Sequence, residues 1–128
     1  MKIGFLGLGK LGLPVALAIE SKGHEVFGTD INQNTIKNIE SRKLDYREEG
    51  ADELLQKSKI KIKNLPQIVS DSDIIFVPVQ TPHNEKYEGV TRIPDERADF
   101  DYSFLKSGIK DLSLEADKQK KDVVVIII

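Results

Sequence analysis

Gly7-Leu8-Gly9-Lys10-Leu11-Gly12 is the stretch on which the fold turns. Its three glycines follow a short apolar segment, Lys2 to Gly7, that reads as a strand. They open a segment, Leu11 to Lys22, in which Leu11, Val15, Ala18 and Ile19 recur at helical spacing before Gly23 ends it. Each glycine has a separate physical task in a strand-to-helix turn. Gly7 permits the tight turn, Gly9 leaves the backbone open to a close approach, and Gly12 lets the helix pack near the sheet. The unpaired N–H groups near Lys10 and Leu11, aided by the helix dipole, suit an anion.

The pattern outward from this turn alternates. A second strand runs over Glu25–Asp30, a helix over Ile31–Ile39 with Ile31, Thr35, Ile36 and Ile39 on one face, and a short helix over Ala51–Lys57. Ile60 to Ile62 reads as an edge strand, Leu65 to Val69 as a helical turn at Pro66, and Asp73 to Val79 as a buried strand. Thr81 to Phe100 is a polar loop with Pro82, Pro94 and eight charged residues, longer than compact connections usually are. Phe104 to Ala116 is an amphipathic helix and Asp122 to Ile128 a closing strand. Strands alternating with helices predict an α/β fold: a Rossmann-type, doubly wound parallel sheet in three layers, over one domain spanning residues 1–128. The final six residues, Val123 to Ile128, are all β-branched, as in a buried central strand. The sheet is therefore expected to be incomplete here, and the chain to be the front part of a longer protein.

Composition bounds the function. The 128 residues carry 19 Lys+Arg and 21 Asp+Glu, a formal charge of −2, with 39% apolar and 31% charged residues. That balance provides no general attraction for nucleic acid or an anionic membrane. There is no cysteine, which excludes disulfides, Cys-ligated zinc and thiol catalysis within these residues. No apolar run approaches the roughly 20 residues that span a bilayer, and no signal peptide is visible behind Met1. A soluble, cytoplasmic protein is expected.

Asp30, 18 residues beyond Gly12 at the end of the second strand, strengthens the glycine pattern. A carboxylate there accepts hydrogen bonds from both hydroxyls of an adenosine ribose and repels a 2′-phosphate, which favours NAD over NADP. The same carboxylate is equally placed to cap the following helix, and the glycines alone would make a tight turn with no ligand. Pro14 stands inside the expected helix without an N–H to bond back to Lys10. His24 and His83 are far apart and have no neighbours at ligand spacing, so no metal site is expected. The acids Asp45, Glu48, Glu49, Asp52 and Glu53 read as a solvated helix start.

Four stretches together resemble the UDP-glucose/GDP-mannose dehydrogenase family. Gly7 to Ala16 runs from the glycines into Leu13-Pro14 and a small residue, as that family does. Tyr46 to Leu55 is similar to its Glu-Pro-Gly-Leu segment, with Glu48 and Gly50 in register. Val77 to Pro82 resembles its Thr-Pro loop after the fourth strand, and Ala98 to Tyr102 the acidic and hydrophobic opening of the next helix. The resemblance implies oxidation of the C6 alcohol of a nucleotide sugar to a carboxylate with two NAD, in a homodimer whose later domains bind the sugar nucleotide. It places Gly7, Leu8, Gly9, Lys10, Leu11 and Gly12 on the pyrophosphate and Asp30 on the ribose. Thr35 falls where many members carry a basic residue, with Lys37 two residues later, and Val79, Gln80 and Thr81 would line the cofactor. For Thr81-Pro82 a strand terminator with a capping hydroxyl remains the alternative. Tyr87, Arg92 and Arg97 stand in the long loop, either as a phosphate clamp or as solvated charges. The family's catalytic cysteine and its Lys/Asn pair have no counterpart here, so these residues would bind the cofactor without running the reaction, and no catalytic residue is assigned. Two other classes share the glycine-rich start: 6-phosphogluconate or β-hydroxyacid dehydrogenases, and non-enzymatic nucleotide-sensing modules.

Overall fold

In the computed structural model, residues 1–82 and 99–128 are described. Strand β1 is Lys2–Leu6, helix α1 Gly12–Ser21, β2 Glu25–Thr29, α2 Gln33–Glu40 and α3 Ala51–Lys57. Then come β3 Lys61–Ile62, α4 Leu65–Asp71, β4 Ile74–Val77, α5 Ser103–Gln119 and β5 Val124–Ile127. The five strands form one parallel sheet in the order β3-β2-β1-β4-β5. Chain order reverses direction between β1 and β4, where β1 pairs Ile3 with Ile74 and Phe5 with Phe76.

Strand alternation sends successive side chains to opposite faces of the sheet, and both faces are covered. On one side Ile3, Phe5 and Val26 pack with Leu13, Ala16 and Leu17 of α1, Ile39 of α2 and Leu55 of α3. On the other, Leu6, Phe27, Ile75 and Val77 pack with Ile68 and Val69 of α4 and Leu112 and Ala116 of α5. The rings of Phe5 and Phe76 stack at 5.1 Å under the β1–β4 junction. This is the expected three-layer, doubly wound architecture.

Several details differ from the sequence expectations. The buried face of α1 is Gly12, Leu13, Ala16 and Leu17, whereas Leu11 is 54% exposed and Ala18 is also outside. The helix is apolar almost all round, so two faces share helical spacing and only the sheet beneath selects one. Ile31 is 88% exposed and precedes α2, which begins at Gln33. Helix α4 is longer than a turn because Asn64 and Gln67 form a reciprocal capping box, with Pro66 in the first turn where its missing N–H costs nothing. β4 stops at Val77, since Pro78 cannot continue a ladder. β5, expected to be buried and central, occupies an outer position among the described strands and pairs only with β4, leaving Val124 and Ile127 exposed.

The face of α1 is checked by two truncations. Leu17→Ala, at a buried site, is expected to cost about 2–5 kcal/mol, and Leu11→Ala less than about 1 kcal/mol. Urea unfolding with an unchanged m-value measures both, and equal losses would mean that the helix is rotated.

Candidate functional site

The junction of β1, α1 and β4 is shaped by glycine. After β1, the Gly7 N–H donates to the Thr29 carbonyl (2.9 Å), and the chain then turns at Gly7 with φ +115°. Leu8 drops its side chain wholly into the core. Helix α1 begins at Gly12, and a β-carbon there would lie 2.2 Å from the Gly7 carbonyl oxygen and 2.7 Å from Cγ of Pro78. Glycine at this position is therefore what allows the helix to start against the ends of β1 and β4. Pro14 falls in the first turn of α1 rather than in its interior, so the lost N–H is a small matter.

The start of α1 is open. No side chain caps it, in contrast to Asn32 at α2 and Asn64 at α4. Among the described residues the N–H groups of Gly9, Lys10 and Leu11 meet no acceptor, while Leu13 N–H donates to the Gly9 carbonyl at 3.0 Å. Gly9 itself has no positive φ, and a β-carbon on it would meet nothing within 4 Å. The fold of the chain does not require glycine at this position. A backbone left bare beside unpaired N–H groups at a helix N-terminus is a cradle for an anion that comes close to the main chain. Lys10 is exposed beside it.

Asp30 closes the second side. Its Oδ2 accepts the Leu8 N–H and its Oδ1 the Asn32 N–H, both at 2.8 Å. It does not cap α2; that position belongs to Asn32, whose side chain accepts the Asn34 N–H at 2.9 Å. A carboxylate has about four acceptor positions, so each oxygen keeps capacity for a hydroxyl. Thr35, half-buried on α2, makes no hydrogen bond to the turn or to Asp30. Lys37 is exposed in the last turn of α2.

Beyond β4, Pro78 is buried against the glycine turn, Val79 is half-buried against the α4–α5 side, Gln80 is exposed and Thr81 half-buried. The Pro82 carbonyl accepts the Asp101 N–H at 2.6 Å, so the described residues on either side of 83–98 meet. Asp101 in turn binds Ser103 at the start of α5, and hydrogen bonds from Ser103 hold its carboxyl below the usual range. His83, Tyr87, Arg92 and Arg97 lie outside the described residues. The glycine turn, Asp30 and the end of β4 thus lie at the carboxyl ends of β1, β2 and β4, where the strand order reverses and open parallel sheets form their ligand crevice.

Other features stand apart from this crevice. Two open cavities, of about 620 and 510 Å³, lie at the opposite ends of the strands around His24, Lys59 and Lys61, and around Lys2, Asp73 and Lys121. Neither includes the glycine turn or Asp30. Among the described residues no three His, Cys, Asp or Glu side chains are grouped to hold a metal. The acids between Asp45 and Glu53 are exposed around the start of α3. In their midst the Tyr46 hydroxyl is buried without a hydrogen-bond partner among the described residues. Burial, then the charges of Glu48, Asp45 and Asp52, push its phenol up to about 12. The sequence reading missed Pro78 as a wall of the crevice, Ile31 as an exposed apolar side chain beside Asp30, and the bond from Leu8 to Asp30. Only Pro78 had a visible signal, a proline ending an apolar run.

The sequence model of the UDP-glucose/GDP-mannose dehydrogenase family, NAD binding domain, matches residues 1–127. A UDP-N-acetyl-D-mannosamine dehydrogenase from Pyrococcus horikoshii is 36% identical over 86 residues, covering 64% of this chain and 21% of its own length. The crystal structure of a ternary complex of GDP-mannose dehydrogenase from Pseudomonas aeruginosa superposes with a TM-score of 0.81 at 25% identity, over 99% of this chain and 28% of that one. A 2-hydroxy-3-oxopropionate reductase from Escherichia coli is 33% identical over 87 residues, 67% of this chain and 24% of the reductase. The chain therefore spans between about a fifth and just over a quarter of the length of these relatives.

The two glycines separate folding from binding. Gly12→Ala is expected to destabilise the chain by about 1–3 kcal/mol or more through the clash at Gly7 and Pro78. Gly9→Ala should leave the thermal midpoint unchanged yet weaken dinucleotide binding by about tenfold or more, as read by calorimetric titration. For Tyr46, the unfolded phenol ionises near 10 and the folded one near 12, so its contribution is intact below the first value and lost as pH rises through the second. Alkaline unfolding followed by phenolate absorbance should show this step, and Tyr46→Phe should remove it.

Proposed function

Because the chain belongs to the UDP-glucose/GDP-mannose dehydrogenase family, whose NAD-binding domain its residues 1–127 match, we propose that it is the cofactor domain of a nucleotide-sugar 6-dehydrogenase. The whole protein would oxidise the C6 alcohol of a UDP- or GDP-sugar to a uronate, passing two hydrides to two NAD⁺ and taking the second oxygen from water. The cofactor of the domain is NAD. We assign the protein to the cytoplasm and to nucleotide-sugar metabolism for polysaccharides, as a homodimer at full length, with neither nucleic acid nor membrane as partner. In support, the net charge is −2, and no helix among the described residues is long and apolar enough to cross a membrane.

The observation that carries the reading is the bare backbone at Gly9 beside the uncapped start of α1. The residues present fit a dinucleotide. The N–H groups of Gly9, Lys10 and Leu11 would take the diphosphate, with Gly7 and Gly12 shaping the turn and Leu8 anchoring it from below. Asp30 would accept the adenosine ribose hydroxyls, with Thr35 on the same side. Ile31 offers an exposed apolar surface next to them. Val79, Gln80 and Thr81 would line the nicotinamide half. The nicotinamide supplies a hydride acceptor when bound. The chain itself binds and orients; it contains no cysteine and so brings no thiol to trap an aldehyde.

The reductase match favours a β-hydroxyacid dehydrogenase as second reading, but it covers 87 residues where the nucleotide-sugar family model continues to 127. Calorimetric titration of the 128-residue chain tests the assignment. NAD⁺ is expected to bind and NADP⁺ to bind weaker by about tenfold or more, since the Asp30 carboxylate opposes a 2′-phosphate. Equal affinities, or no binding of either, would overturn it.

A further inference from the structure

The carboxylate of Asp30 is already in use before any ligand arrives. Oδ2 takes the Leu8 N–H at 2.8 Å and Oδ1 the Asn32 N–H at 2.8 Å. Leu8 stands between Gly7, where φ is +115°, and Gly9, with its side chain fully buried. Its N–H is a donor at the rim of the core and needs an acceptor there. The rest of the turn between Gly7 and α1 is joined to the helix through two of its carbonyls, Gly9 accepting the Leu13 N–H and Leu11 the Val15 N–H. Asp30 is thus the side chain that ties the turn to the end of β2 from outside.

We propose that Asp30 is a positioning residue for the diphosphate cradle, separately from any contact it makes with the ribose. By holding Leu8 it sets the direction of the next three N–H groups, those of Gly9, Lys10 and Leu11, on which an anion would rest. This deepens the dinucleotide reading above and depends on it. It also changes what determines cofactor choice at this position. Removing the carboxylate to admit a 2′-phosphate releases the turn that binds the diphosphate common to both cofactors. An uncharged residue that still presents an acceptor to Leu8, such as asparagine, relieves the repulsion without releasing the turn.

The test separates the ribose from the cradle by using ADP and 2′,3′-dideoxy-ADP, which keeps the diphosphate and lacks both hydroxyls. Each is titrated into the 128-residue chain, Asp30→Ala and Asp30→Asn, with amide hydrogen exchange at Leu8 followed in parallel. Dideoxy-ADP is expected to bind Asp30→Ala about tenfold more weakly than the unaltered chain. Asp30→Asn should recover most of that loss, and Leu8 should be protected in the unaltered chain and in Asp30→Asn but not in Asp30→Ala. Equal dideoxy-ADP affinity in all three chains, with ADP alone responding, would reduce Asp30 to a ribose ligand and overturn the proposal. So would free exchange at Leu8 in the unaltered chain, a result that stands even if Asp30→Ala fails to fold. An unaltered chain that binds neither nucleotide while Leu8 is protected would instead overturn the dinucleotide reading, leaving a tether with no ligand to position for.

Discussion

A β-carbon on Gly12 would stand 2.2 Å from the carbonyl oxygen of Gly7 and 2.7 Å from the Pro78 ring. The first helix therefore starts in direct contact with the ends of two strands, and this contact has no room for a side chain. The crevice follows from it. Pressing α1 onto the β1–β4 junction puts its uncapped first turn at the carboxyl edge of the sheet. Moving the helix outward by the width of a methyl group would separate the turn from Pro78 and from the chain that continues to Val79, Gln80 and Thr81.

The second constraint is electrostatic. A helix N-terminus carries partial positive charge, and α2 and α4 meet it with the side chains of Asn32 and Asn64. At α1 the neighbouring carboxylate, Asp30, instead bonds Leu8 and Asn32 and leaves the helix end uncapped. The chain satisfies its own donors around the site while keeping those of Gly9, Lys10 and Leu11 free. Close packing at Gly12, openness at Gly9 and the tether at Leu8 are different uses of one short turn.

The family to which the chain belongs is matched through its NAD-binding domain. The described residues form a platform for the cofactor, and the chain contains no cysteine and no grouped metal ligands among the described residues. Its match to the family runs over residues 1–127, while the matched stretches make up 21% and 28% of the two dehydrogenase relatives.

The order of strands and helices, the glycine turn and the acid at residue 30 were legible in the sequence because each depends on local chemistry. Apolar runs, glycine spacing and proline positions act over a few residues, and Gly7 to Gly12 is a self-contained signal. Helix α4 was legible in principle as well, through Asn64, Pro66 and Gln67, since caps are local. The face of α1 was not, because Leu11, Leu13, Val15, Ala16 and Leu17 are all apolar and periodicity cannot choose among them. The part played by Pro78 against Gly12 was not legible either, nor the bond between Asp30 and Leu8, which are 66 and 22 residues apart in the chain. The sequence by itself determined the order of strands and helices and where a dinucleotide would be sought, because both rest on local patterns. Only the tertiary structure decided which side of α1 is buried, that Asp30 holds the turn, and that the space beside Gly9 is left open, because these depend on atoms that distant segments bring together.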